Sequence, residues 1–157
     1  MTRTIRRGIL LLLAAAVLAF AAWMLWPRSL GDALDLEDSA LSATILTGHV
    51  QNGRTHQEEE PYTLPAGSGQ AEAVLDLLEQ SSYHLCRDSL TDANSISGGT
   101  MSIHLSGLSA GQEPQTLVVL DGGGQVLLNG RVVRIGYLTQ GPAVTLCEQL
   151  AAILRSG

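Results

Sequence analysis

Gln115 to Leu138 reads QTLVVLDGGGQVLLNGRVVRIGYL. QTLVVL is apolar on both faces, as in the central strand of a sheet. DGGG, Asp121 to Gly124, turns the chain, and QVLL and RVVR then flank Asn129-Gly130. Asn-Gly between two apolar runs is a strong short-range hairpin signal, because a two-residue turn of this kind needs positive φ at both positions. Turns this short force antiparallel neighbours. The stretch therefore predicts a β-meander.

The flanks extend this pattern. Upstream, Met101, Ile103 and Leu105 alternate with Ser102 and His104, the period of a half-buried strand that turns His104 away from the core. Downstream, Pro142 fits a first helical position. Ala143, Cys147, Leu150, Ala151 and Leu154 then form one apolar stripe of a closing helix. Arg87 to Gly99 has loop composition. Before it, SGQAEAVLDLLEQSSYHL, Ser68 to Leu85, reads as a helix with Ser68 as N-cap. Its stripe is Ala71, Val74, Leu75, Leu78 and Ser82, widened by Leu77 and Leu85. Leu41 to Gly67 reads as a hairpin turning at Asn52-Gly53. Its return strand carries Glu58-Glu59-Glu60 and Pro61, which suit a solvated edge that resists further pairing. The predicted order is β-β-α-β-β-β-β-α, an α+β domain whose antiparallel sheet is covered by two helices.

Gly8 to Trp26 has no charged residue. As a helix this run is about 28 Å long, close to the ~30 Å apolar core of a bilayer. Arg3, Arg6 and Arg7 precede it and predict a cytoplasmic N-terminus, while Trp23 and Trp26 suit the far interface. The reading is a retained single-pass transmembrane anchor at 8–26 after a cytoplasmic 1–7. An acidic linker at 27–40, with room for one helical turn around Leu34 and Leu36, joins it to an extracytoplasmic domain at 41–157. The alternative is a signal peptide cut after Ala21, since Ala19-Phe20-Ala21 meets the small-x-small requirement, but the apolar run continues beyond that point.

All fifteen acidic residues lie beyond the anchor with six Arg, a net charge of −9, and the chain has no Lys. That balance argues against nucleic acid as a partner and against adsorption to anionic lipid.

Reactive groupings are sparse. Cys86 and Cys147 are the two cysteines. In a compartment that permits disulfides they could bridge, closing a loop of about 60 residues, or remain two separate apolar thiols. His49, His56, His84 and His104 read as solvated side chains, because no HExxH or CxxC spacing converges them into a metal site. Glu58 to Glu60 alternate faces along a strand and do not converge on Ca²⁺. No serine lies in G-x-S-x-G or S-x-x-K, and DGGG joins strands rather than opening a helix, so it is no phosphate cradle. The sequence thus designates no catalytic, cofactor or metal residue.

The element order carried by ATILTGHVQNG, YTLPAGSGQAEAVLDLLEQ, TLVVLDGGGQVLLNGRVVRIGYL and a terminal helix resembles small uncharacterised extracytoplasmic domains of Gram-positive bacterial membrane proteins and lipoproteins. That resemblance implies the fold and the envelope location, and it brings no activity or functional residue with it. The functional expectation is a non-catalytic binding or sensory module tethered at the cell envelope, with an unidentified envelope protein as a potential partner. The alternatives are a cell-envelope hydrolase, or a structural subunit of a membrane complex assembled through small residues such as Ala14, Ala15, Ala21 and Ala22.

Overall fold

The computed structural model describes residues 3–36, 40–51, 54–91, 93–107 and 113–157. The expected turn at Asn52-Gly53 lies outside them. In chain order the elements are α1 (Arg3–Leu25), β1 (Arg28–Ser29), α2 (Leu30–Leu34), β2 (Leu41–Gln51), β3 (Arg54–Leu64), α3 (Gly69–Gln80) and β4 (Ser82–Tyr83). After a 3₁₀ turn at Arg87–Leu90 come β5 (Met101–Gly107), β6 (Gln115–Leu120), β7 (Gln125–Leu128), β8 (Arg131–Arg134) and α4 (Gly141–Arg155).

The protein is α+β. Six strands form an antiparallel sheet in the order β3-β2-β5-β6-β7-β8. Residues of period two line its covered face: Ala43 and Ile45 on β2, Ile103 and Leu105 on β5, Leu117 and Val119 on β6. Against them pack Val74 and Leu78 from α3 and Leu146, Cys147, Leu150 and Leu154 from α4. On the opposite face Val118 and Leu120 are half-buried and His104 is exposed. QTLVVL is thus central in the sheet, but fully covered on one face only.

The β7–β8 turn forms as its residues dictate. Asn129 has φ 48° and Gly130 φ 74°, and the register Leu128↔Arg131 leaves these two residues as the whole loop. Asn129 is held further by its side-chain Oδ1, which accepts from the Thr116 N–H at 2.8 Å. Asp121 opens the preceding turn and accepts at Oδ1 from the Thr100 N–H at 2.7 Å and at Oδ2 from the Thr100 hydroxyl at 3.0 Å.

Two expected boundaries are corrected. The helix expected over Ser68 to Leu85 ends at Gln80. Ser81 caps it, its N–H bonding Leu78 O and its hydroxyl bonding Leu77 O at 2.7 Å. Serine side chains compete for backbone partners in this way and favour helix ends. Ser82 and Tyr83 then pair with Ser29 and Arg28 as β4 and β1.

Of the segment expected to be an acidic linker at 27–40, Arg28 to Leu36 are instead built into the domain. Ser29 caps α2 by accepting from the Asp32 N–H at 3.3 Å. Leu30, Leu34 and Leu36 lie in the hydrophobic core. The acidic residues on this segment disguise an apolar face. Gly31 lets α2 approach α3 closely: a Cβ there would stand 3.0 Å from the Glu79 Cα and 3.1 Å from its nitrogen.

At the sheet edge, Arg155 of α4 grips Glu60 of β3 at two points, with Nε to Oε2 at 3.0 Å and Nη2 to Oε1. The Tyr62 hydroxyl also donates to Glu60 Oε2, at 2.8 Å. Glu60 therefore fastens the last turn of α4, whereas Glu58 and Glu59 are exposed.

α1 stands apart from this packing over most of its length. Arg6 to Leu25 form 20 residues of mean hydropathy 2.5, with none of the span buried. It is long and apolar enough to cross a membrane, a property shared by membrane anchors and signal sequences.

Candidate functional site

The last turn of α1 leaves backbone carbonyls without helical partners, as every helix C-terminus does. One residue just past the helix and two far along the chain satisfy three of them. Arg28 donates from Nη2 to Trp23 O at 3.0 Å, and its guanidinium lies over the Trp23 ring, 5.5 Å from the centroid. The Leu85 N–H donates to Met24 O at 3.0 Å. The Tyr137 hydroxyl donates to Leu25 O at 2.8 Å. Met24 packs its side chain against the core.

Beneath this junction lies His84. Its backbone exchanges hydrogen bonds with Arg134 at 2.9 and 3.0 Å, extending the edge of β8. Its ring stacks on Tyr137 with centroids 4.5 Å apart and planes 7° from parallel. Nδ1 faces Leu85 O at 2.9 Å and Nε2 faces Gly136 O at 3.1 Å. A neutral imidazole has one N–H and can donate to one of these carbonyls, whereas an imidazolium can donate to both. The expectation of a solvated His84 is therefore corrected: the side chain is only 5% exposed and ties β4 to the chain beyond β8.

A cleft of about 440 Å³ opens beside this histidine, between the segment after α3 and the first turns of α4. Its size falls within the range of small-molecule sites. Ser81, Ser82, Thr145 and Gln149 supply hydroxyls and an amide, and Tyr83 and Tyr137 supply aromatic surface. Among the described residues, no carboxylate, lysine or arginine lines it. Such a lining, with His84 in it, offers hydrogen bonds and stacking to an uncharged ligand. A second cleft, of about 390 Å³, separates α2 from α3 and is rimmed by Asp32, Asp35, Glu72, Asp76 and Glu79. Among the described residues, no three His, Cys, Asp or Glu side chains are grouped so as to hold a metal ion.

The other residues considered from sequence are dispersed. Cys86 and Cys147 are both free thiols in this structure. Cys86 Sγ contacts Ser89 Oγ at 3.4 Å in the 3₁₀ turn. Cys147 Sγ points from α4 at Val119 O, 3.9 Å away on β6. Burial pushes the Cys147 thiol up to about 12, with the charges of Asp121 and Glu148 adding to the effect. His49 and His56 face each other across the β2–β3 hairpin, their rings stacked at 5.8 Å. His104 sits on the open sheet face, 3.3 Å from Ser102 Oγ. Sequence reasoning passed over Arg28 and Tyr137 and misplaced His84. The available signal was the pair Ser81-Ser82, which marks a helix end and puts Tyr83 and His84 on an extended segment.

No protein-family model, curated protein or solved structure matches the chain.

Proposed function

We propose that this chain is a membrane-tethered extracytoplasmic module with a binding or sensory role, retained on α1 as a single-pass anchor with its N-terminus in the cytoplasm. The observation that carries the reading is the capping of Trp23, Met24 and Leu25 by Arg28, Leu85 and Tyr137. A domain hung on a flexible tether has no use for three such contacts. Here a ligand entering the cleft would touch Tyr137 and His84, the residues that lead to the last turn of the apolar helix. Occupancy of the cleft and the setting of the helix are then linked, because a ligand that favours one arrangement of Tyr137 shifts the population of both. The cluster Arg3, Arg6 and Arg7 supports the orientation, and the acidic domain supports a solvated exterior location. The cleft's lining supports a small uncharged ligand carrying hydrogen-bonding and planar groups.

Two measurements test this. Mass spectrometry of the membrane-extracted protein should recover peptides upstream of Ala22, and protease added outside intact cells should digest the domain. A mature chain starting at Ala22 would remove the anchor. A thermal-shift screen of uncharged small molecules against the full chain in detergent should give hits that Gln149→Ala and Thr145→Val weaken together. Hits indifferent to both substitutions would remove the cleft as the binding site.

A further inference from the structure

We propose that the loop between β8 and α4, led by Tyr137 and Leu138, rests in the outer leaflet of the same bilayer that α1 spans, and so gives the domain a second membrane contact. The inference rests on the anchor reading above and deepens it by naming the surface that faces lipid. Leu138 is 93% exposed, the most exposed large apolar side chain among the described residues. Nothing among the described residues covers it, yet its neighbour Tyr137 is fixed by the hydrogen bond to Leu25 O and by the stack on His84. Leu138 is therefore held one residue away from a side chain that touches the end of the apolar helix.

The surroundings suit the same level of a membrane. Trp23, Leu25 and Trp26 are exposed at that end of α1. Tyrosine and tryptophan concentrate where hydrocarbon meets headgroups, because one part of the ring system is apolar and the other is a hydrogen-bond donor. The thirteen residues from Ile135 to Cys147 carry no charge, although the part of the chain beyond the anchor carries −9 overall. The loop is thus an uncharged window in an acidic surface, and it opens beside the anchor. Arg28 stands at the same end, its Nη2 on Trp23 O and its guanidinium over the Trp23 ring. Lipid is the occupant this combination fits: the helix and the loop share one end of the molecule, and the bilayer that takes the first is already there to take the second.

The test uses the full chain in lipid nanodiscs with Cys86→Ser as background, and an environment-sensitive fluorophore on single cysteines at Leu138, Leu12 and Val50. Leu12 lies within α1, and Val50 is an exposed apolar residue near the far end of β2, on a strand four places from β8. A headgroup-level spin-labelled lipid should quench the Leu138→Cys label at least about twofold more than the Val50→Cys label, and aqueous iodide should do the reverse. An acyl-chain quencher should reach the Leu12→Cys label. If the Leu12→Cys label is quenched by lipid while Leu138→Cys behaves as Val50→Cys does, the loop faces water and the inference falls with the anchor intact. If the Leu12→Cys label is reached only by iodide, the anchor reading fails and takes the inference with it.

Discussion

The hydroxyl of Tyr137 donates to the carbonyl of Leu25 across 112 positions of sequence, at 2.8 Å. This contact closes the junction together with those of Arg28 and Leu85. Tyr137→Phe keeps the ring against His84 and removes only the donor, so it should cost about 1 kcal/mol, the usual net value of one hydrogen bond. Its local effect should be larger than its global one. Trypsin cleavage after Arg28 should accelerate severalfold in the variant, while the midpoint of domain unfolding moves little. Unchanged cleavage would mean that the Arg28 and Leu85 contacts hold the junction alone.

Leu30, Leu34 and Leu36 are each at most 2% exposed. Burial of a leucine is worth about 1.5–3 kcal/mol. A fragment of residues 27–157 should unfold cooperatively in denaturant. A fragment of 37–157 lacks all three side chains and β1, and its loss should be comparable with the ~5–15 kcal/mol total stability of an ordinary domain. It should be unfolded or molten by near-ultraviolet circular dichroism. Equal stability of the two would show that the segment is an ornament on the core.

Gly31 faces Glu79 with no room for a methyl group. Gly31→Ala should push α2 away from α3 and cost about 1–3 kcal/mol, as overpacking does. Gly69, the first residue of α3, has open space around it. Gly69→Ala should be neutral or stabilise by up to about 1 kcal/mol through the unfolded state. Urea melts of the pair separate the two effects, and a neutral Gly31→Ala would place α2 farther from α3 than described.

The Arg155 guanidinium, and after it the Tyr62 hydroxyl, hold the Glu60 carboxyl below its ordinary value of 4.5. A carboxylate whose folded pKa is lowered contributes stability above its unfolded pKa and loses it as the pH falls through the folded one. The difference in melting temperature between the native chain and Glu60→Gln should therefore be constant from about pH 5.5 to 8 and shrink below about pH 4.5. The pair is exposed to solvent, so added salt should also shrink it. A difference that grew on acidification would contradict the assignment.

With its thiol pushed up to about 12 by burial, Cys147 should stay protonated and sheltered at pH 8. The thiolate is the reactive form. In a Cys86→Ser variant, a thiol reagent should label almost nothing in buffer and one equivalent in denaturant, and the labelling rate should follow global unfolding. Fast labelling of the native variant would mean that α4 opens by itself.

The sheet was readable because its signals were local. Asn129-Gly130 sets a two-residue turn through backbone conformation alone, and Ile103, Leu105, Leu117 and Val119 show the period of their strands without knowledge of partners. The stripe of α4 was legible for the same reason, although Leu146, also buried, was not counted in it. What escaped was decided by tertiary pairing. Ser82 and Leu85 fall on the continued stripe of α3, and only the pairing of Ser82 and Tyr83 with Ser29 and Arg28 shows that the helix has ended. Leu30, Leu34 and Leu36 sit among acidic residues, so their burial depends on a groove made by α3 and the sheet. His84 and Tyr137 lie 53 positions apart, and nothing in either neighbourhood announces that their rings stack. The junction was hidden for this reason, and with it the candidate site.

The two residues between α1 and β1 bear on how this chain could change over time. Modular surface proteins commonly exchange one anchor for another, because a slack spacer makes the sequence of each indifferent to the other. Here Trp26 and Pro27 are the whole spacer, and Arg28, Leu85 and Tyr137 all take their partners from the final three residues of the apolar helix. An insertion of one residue within the last turn of α1 would turn the helix end by about 100° and present the wrong carbonyls. Helix end and domain are therefore matched to each other, and a graft of this domain onto another apolar helix would have to carry Trp23 to Leu25 with it.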